Sequence, residues 1–242
     1  MKKFLFIALF LLCNSLIFSN IPASVVLLRD TMYNDPLNHT ALNSLYEDII
    51  AELQSSLNGY DLYVALSRCE YYMGRSYAYA DEKEKAGMYY DKGLEYAEKA
   101  LDINKGYEAL LMYGEHISQN CAVKSTSYAI ANGLKVGRYA KDVLKLQPKN
   151  AAAMYLSSAQ HVYAPSPFHN YRKGISEMTD ILNTSGIILA KDDEFNVTSA
   201  IAYAHMQRKE YDEALTWIAK ALELYPSNIF ALALQQQIND AK

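Results

Sequence analysis

Residues 195–228 read FNVTSAIAYAHMQRKEYDEALTWIAKALELYPSN, and this stretch decides the fold. Its apolar residues recur at helical spacing over 194–208 and again over 211–224, with a short break between. Ala214 and Ala221 lie on one face of the second segment, and residues that small at a crossing point let two helices approach closely. Tyr211 opens that segment. Pro226 closes it, because proline brings no N–H to the helical ladder and its ring collides with the preceding turn. The stretch predicts two helices packed against each other through alanines, with a clean stop after the second.

The same periodicity extends towards the N-terminus. Leu42, Leu45, Tyr46, Ile49, Ile50 and Leu53 form one apolar stripe at spacings of three and four, the mark of an amphipathic helix. Comparable stripes run through 60–80, 84–103, 107–119, 124–147, 151–163 and 171–183, and beyond the quoted stretch through 228–240. Asn58-Gly59, Lys105-Gly106, Pro148, Pro165 with Pro167, Gly186 and Pro226 punctuate them. No segment sustains the two-residue alternation of a half-buried strand. The chain reads as all-α, with about ten helices.

Looser copies of the pattern precede the last one. Met73-Gly74 with Tyr77 is answered by Gly93, Ala97 and Ala100-Leu101, with about seven extra residues in between. Tyr113-Gly114 with Ile117 opens another copy, which ends at Val136, Ala140, Val143 and Pro148; a third starts at Ala151, carries Ser157-Ser158 and Gly174, and has APSPFHN inserted near its turn. With Ile201-Ala202 ahead of Tyr211, Ala214 and Ala221, the last copy resembles a tetratricopeptide repeat (TPR), and residues 60–228 resemble a TPR array. The resemblance implies a right-handed superhelical array of antiparallel helix pairs, an α-solenoid. The expected organisation is a leader over 1–19, an N-terminal extension with a capping helix over 20–59, repeats over 60–228 and a C-terminal capping helix over 229–242.

The leader reading rests on Lys2-Lys3 followed by the apolar run Phe4–Leu12 and by Ser19, a small residue suited to cleavage. The run is shorter than the ~20 residues of a spanning helix. Cys13 would be a lipidation site only with a small residue before it, and Leu12 is not small. Export to the periplasm or beyond is therefore expected, with a soluble product starting near Asn20. Export also permits disulfides, but Cys69 and Cys121 fall at heights about 15 Å apart if their helices run parallel, too far for a bridge. Both are expected as free thiols, Cys69 as core filler.

Composition excludes several functions. With 23 Lys and Arg against 27 Asp and Glu the chain carries a formal charge of −4, and losing the leader removes only lysines. No basic excess is available for phosphates, so nucleic acid is not an expected partner. The five histidines show no H-E-x-x-H and no cysteine pairing at zinc spacing; no G-x-S-x-G, P-loop or G-x-G-x-x-G occurs. No enzyme activity, cofactor or metal is implied. Asp192-Asp193-Glu194 suits a helix N-terminus, and His161 and His205, at equivalent repeat positions, are expected as packed core residues.

TPR proteins mostly bind peptides or protein surfaces along the inner wall made by the first helix of each pair. Carried onto this sequence, the inward positions include Arg68, Tyr71, Tyr72, Arg75 and Tyr79, then Glu108 and Glu115, Tyr155, Asn196 and Tyr203. The chain holds 21 Tyr, and several fall on this face. Aromatic planes and the Arg fork suit recognition, so Arg68, Tyr71, Arg75 and Tyr79 are expected as a surface patch for an acidic or mixed partner segment. The alternative is a structural ladder in which Glu108 and Glu115 pair with the two arginines. The Lys/Asn clamp with which some TPR proteins hold a C-terminal carboxylate is not recognisable. The implied function is an envelope adaptor for a protein or peptide, with membrane-peripheral association and self-assembly left open. A second class is a ligand-binding or transport-accessory protein, since exported TPR proteins associated with TRAP transporters resemble this chain in size and leader. A sealed cavity at the Tyr/Arg cluster would favour a ligand, an open trough a peptide.

Overall fold

The computed structural model describes residues 21–242; the expected leader and Cys13 lie outside the described residues. Within them run eleven helices and no strand: α1 (Ala23–Asn34), α2 (His39–Ser56), α3 (Gly59–Tyr79), α4 (Lys83–Ile103), α5 (Tyr107–Val123), α6 (Thr126–Leu146), α7 (Ala151–Tyr163), α8 (Tyr171–Asn183), α9 (Lys191–Gln207), α10 (Tyr211–Leu224) and α11 (Ile229–Ala241). Helices α3/α4, α5/α6, α7/α8 and α9/α10 form four successive pairs, each packed on the next. The first helices of the pairs also touch in sequence, α3 to α5 to α7 to α9, and so make a common inner wall.

Local chemistry sets these boundaries. Asn38, Asn150, Asn170 and Asn228 each sit just before a helix and accept a hydrogen bond from the backbone N–H three residues on. Each such cap stabilises its helix by about 1 kcal/mol. The close crossings fall where small residues stand. A Cβ on Gly74 would lie 2.4 Å from the Tyr90 ring, and one on Gly174 2.6 Å from Val162 Cγ2. Ala214 and Ala221 are fully buried in the last pair.

The first pair differs from its expected form. The extra residues do not make a long turn. They lengthen α3 and α4 to 21 residues each, against 17 and 14 for α9 and α10. Both pairs turn in the same way: Asp81 and Lys209 take left-handed backbone angles (φ 57° and 63°), and the next N–H, of Glu82 or Glu210, donates to Tyr77 O or His205 O at 2.9 Å.

Helix α1 falls where the sequence predicts only an extension ahead of the capping helix. It packs on α2 and α3 and reaches α9, the first helix of the last pair. Val25, Leu28, Met32 and Tyr33 are completely buried there. The Tyr33 ring stacks on Tyr225 with centroids 5.0 Å apart and meets Phe195 edge-on at 5.3 Å. Asn228 Nδ2 donates to Tyr33 O at 2.6 Å, and Tyr225 donates its hydroxyl to Asp30 at 2.7 Å. One apolar core consequently runs from α1–α5 into α9–α11, and the two ends of the array meet.

Cys69 is buried in that core and Cys121 is half-buried inside α5, both as free thiols. The expected core histidines are a correction. His161 and His205 are half-buried and face carboxylates, Glu177 at 3.7 Å and Glu210 at 2.8 Å. The fully buried histidine is His116.

Candidate binding site

The inner wall curves around a hollow of about 570 Å³. Helix α3 contributes Tyr71, Arg75 and Tyr79, α5 Glu115, α7 Tyr155 and Tyr163, and α9 Asn196 and Ser199. Phe230 of α11 lies at the far end, its ring 6.3 Å from that of Tyr79. The α6 residues Gly133, Val136 and Gly137 form part of the rim.

Arg75 occupies the centre of this arrangement. Its guanidinium carbon lies 5.0 Å from the Tyr33 ring centroid, 5.8 Å from Tyr71 and 5.5 Å from Tyr79. Nη1 donates to the Tyr71 hydroxyl at 3.1 Å and Nη2 to the Tyr79 hydroxyl at 2.8 Å. Burial pushes the Tyr71 phenol well above its ordinary range, so it remains a neutral acceptor. Among the described residues no carboxylate oxygen lies within 4 Å of Arg75, nor of Arg68, whose buried Nε has no partner. The structural ladder to Glu108 and Glu115 is therefore not formed.

Glu115, which lines the hollow, and Asp192 and Asp193 at the start of α9 are held back from ionising. Burial pushes Glu115 up to about 7, with Arg68 acting against the rise. Asp192 is raised by burial despite Arg29, whose Nη1 sits 3.1 Å away. Asp193 is raised further by burial and by Asp192 beside it. These acids do lie in the first turn of α9, as the sequence reading has it.

The ten candidate residues separate in space. Tyr71, Arg75, Tyr79, Glu115, Tyr155 and Asn196 come together in the hollow. Arg68 and Glu108 line a separate gap of about 40 Å³ beside Ile21, Pro22 and Asp61. Tyr72 is core, and Tyr203 packs against Tyr163 with centroids 5.4 Å apart, outside the hollow's lining. The expected surface patch is thus corrected: Tyr71 is 6% exposed, and Arg75 is enclosed by three aromatic rings. Sequence reasoning missed Tyr33, Phe195 and Phe230. A signal existed for the first, since Val25, Leu28 and Met32 repeat at helical spacing.

The tetratricopeptide-repeat family model matches residues 197–228. Those residues are a tetratricopeptide repeat. The TPR fold extends well beyond the matched segment. TTC0263, a thermophilic TPR protein of Thermus thermophilus, superposes with a TM-score of 0.55 at 17% identity, over 91% of this chain and 96% of that one. YrrB, a TPR protein described as having an unusual peptide-binding site, aligns over 89% of this chain and 99% of its own, at 12% identity and a TM-score of 0.40. Among curated proteins none matches. Within the described residues no helix is long and apolar enough to cross a membrane, and no group of three His, Cys, Asp or Glu could hold a metal ion.

Proposed function

We propose that this chain is an exported binding protein of the cell envelope, without catalytic activity, whose hollow takes up a compact ligand. The observation that carries the reading is Arg75, a guanidinium inside a tyrosine-lined hollow with no carboxylate beside it. Arg75 is half-buried, and holding a charge partly out of water without a counter-charge beside it is costly. The volume of about 570 Å³ is of ligand size. An extended peptide would run along the whole inner wall, whereas the arginine-centred surface is confined to one hollow, flanked by Phe230 of α11 beside Tyr79. The geometry therefore favours the ligand-binding class over the peptide adaptor.

Native mass spectrometry of protein purified from its own envelope fraction tests this reading. Wild type should carry a small molecule that is released on unfolding. Ala159→Trp, which fills the hollow from α7, should not. A partner protein that co-purifies equally with wild type and Ala159→Trp, with no small molecule on either, would overturn it.

A further inference from the structure

Resting on the hollow being a ligand site, we propose that its ligand is an organic monoanion: a carboxylate that docks on Arg75, carrying an apolar body that lies among the tyrosines. A guanidinium has five N–H groups. Two of Arg75's are taken by Tyr71 and Tyr79, both through Nη atoms, which leaves Nε–H and one hydrogen on each Nη without an acceptor among the described residues. The tyrosine bonds fix the plane of the fork, so the remaining donors are already oriented. A planar, two-oxygen acceptor is the group that such an edge binds best.

Ser199 gives a second, independent observation. The residue is 2% exposed, its Oγ has no hydrogen-bond partner among the described residues, and it lines the same hollow. A buried hydroxyl left unpaired is costly, and a ligand oxygen would satisfy it.

Charge selects the class. Arg75 is the only guanidinium lining the hollow among the described residues, because Arg29 is paired with Asp30 and Asp192 and Arg68 lies in its own gap. One positive charge balances a monoanion. A phosphate dianion would leave a surplus negative charge facing Glu115. The remaining wall, formed by Leu156, Ala159, Phe195, Phe230 and the Tyr155 and Tyr163 rings, offers apolar and aromatic surface to the rest of the molecule.

Isothermal titration of the mature protein with three probes that share a phenylethyl body tests the proposal: 3-phenylpropionate, its neutral amide, and 2-phenylethyl phosphate. The carboxylate should bind at least about tenfold more tightly than the amide, as expected when a charge-assisted bond replaces a neutral one. Arg75→Gln should remove that preference, weakening the carboxylate far more than the amide, and Ser199→Ala should weaken the carboxylate. The comparison of probes on wild type stands even where Arg75→Gln fails to fold. Equal binding of amide and carboxylate would overturn the monoanion inference and leave the ligand site intact. Tighter binding of the phosphate would overturn it in favour of a dianion. No binding of any probe, with no small molecule carried by wild type in native mass spectrometry, would overturn both.

Discussion

The imidazole of His116 occupies the space that a side chain on Gly93 would need: a Cβ there would fall 2.0 Å from its Cε1. The Ser67 hydroxyl donates to Gly93 O at 2.8 Å, which leaves the His116 Nε2–H to donate to Ser67 Oγ and O at 3.0 and 3.1 Å. Burial pushes this histidine down to about 4, so the neutral ring is the working form. Alanine is a better helix former than glycine by about 1 kcal/mol. The clash and the broken Ser67 bonds outweigh that gain. Gly93→Ala should therefore lower stability, by about 1–3 kcal/mol net, and chemical denaturation with an unchanged midpoint would contradict this packing.

Tyr33 joins three neighbours that are distant in sequence: Tyr225 by stacking, Phe195 by an edge contact and Asn196 through its hydroxyl. Tyr33→Ala should cost about 3–5 kcal/mol, the range for deleting a buried aromatic ring. Tyr33→Phe keeps the ring and should cost about 1 kcal/mol, the worth of a hydrogen bond. Similar losses in the two variants would mean that the ring contacts do little.

Glu115 should impose a pH dependence on stability. Its carboxyl is raised from 4.5 to about 7 by burial, so the folded state binds a proton more readily than the unfolded chain. The stabilisation by the neutral form is complete below about 4.5 and is lost as the pH rises through about 7. Glu115→Gln, neutral at every pH, should match wild type near the acid end of that window and exceed it on the alkaline side, by at most roughly 3 kcal/mol. Urea midpoints measured across the range decide; a constant offset between the two proteins would refute the shift.

Ala221, in α10, has no exposed surface. Ala221→Leu should overpack this position and destabilise by about 1–3 kcal/mol. A melting temperature equal to that of wild type would show that the last pair is not packed through its alanines.

The parts of the fold that the sequence made legible are those whose cause is local. Ala214, Ala221 and Gly174 mark close crossings because their size is visible without knowing the partner helix. Helix α1 was hidden by Arg29, which sits among Val25, Leu28 and Met32 and breaks their stripe with a charge. Its burial is tolerable because Asp30 and, far along the chain, Asp192 pair with it, and no local pattern carries the second contact. The turn at Asp81 hides for a related reason: one left-handed residue reverses the chain with neither glycine nor proline to announce it. The candidate site divides for reasons of distance. Arg68 and Arg75 share a stripe, but seven residues place them about 10 Å apart along α3, and the hollow reaches only the second. Which tyrosines would face it depended on α1 and α11, whose positions are set by tertiary contacts.

The meeting of α1 with the last repeat has a consequence for how the molecule comes apart. In an open solenoid each repeat touches only its neighbours, so unfolding can begin at a terminal repeat and proceed inward one unit at a time. Here the terminal units are held by each other through Tyr33, Phe195, Tyr225 and Asn228. The array has lost its free ends. Amide exchange should then show α1, α9 and α10 opening together with α3 in one cooperative step, where an unclosed array would fray from its C-terminus.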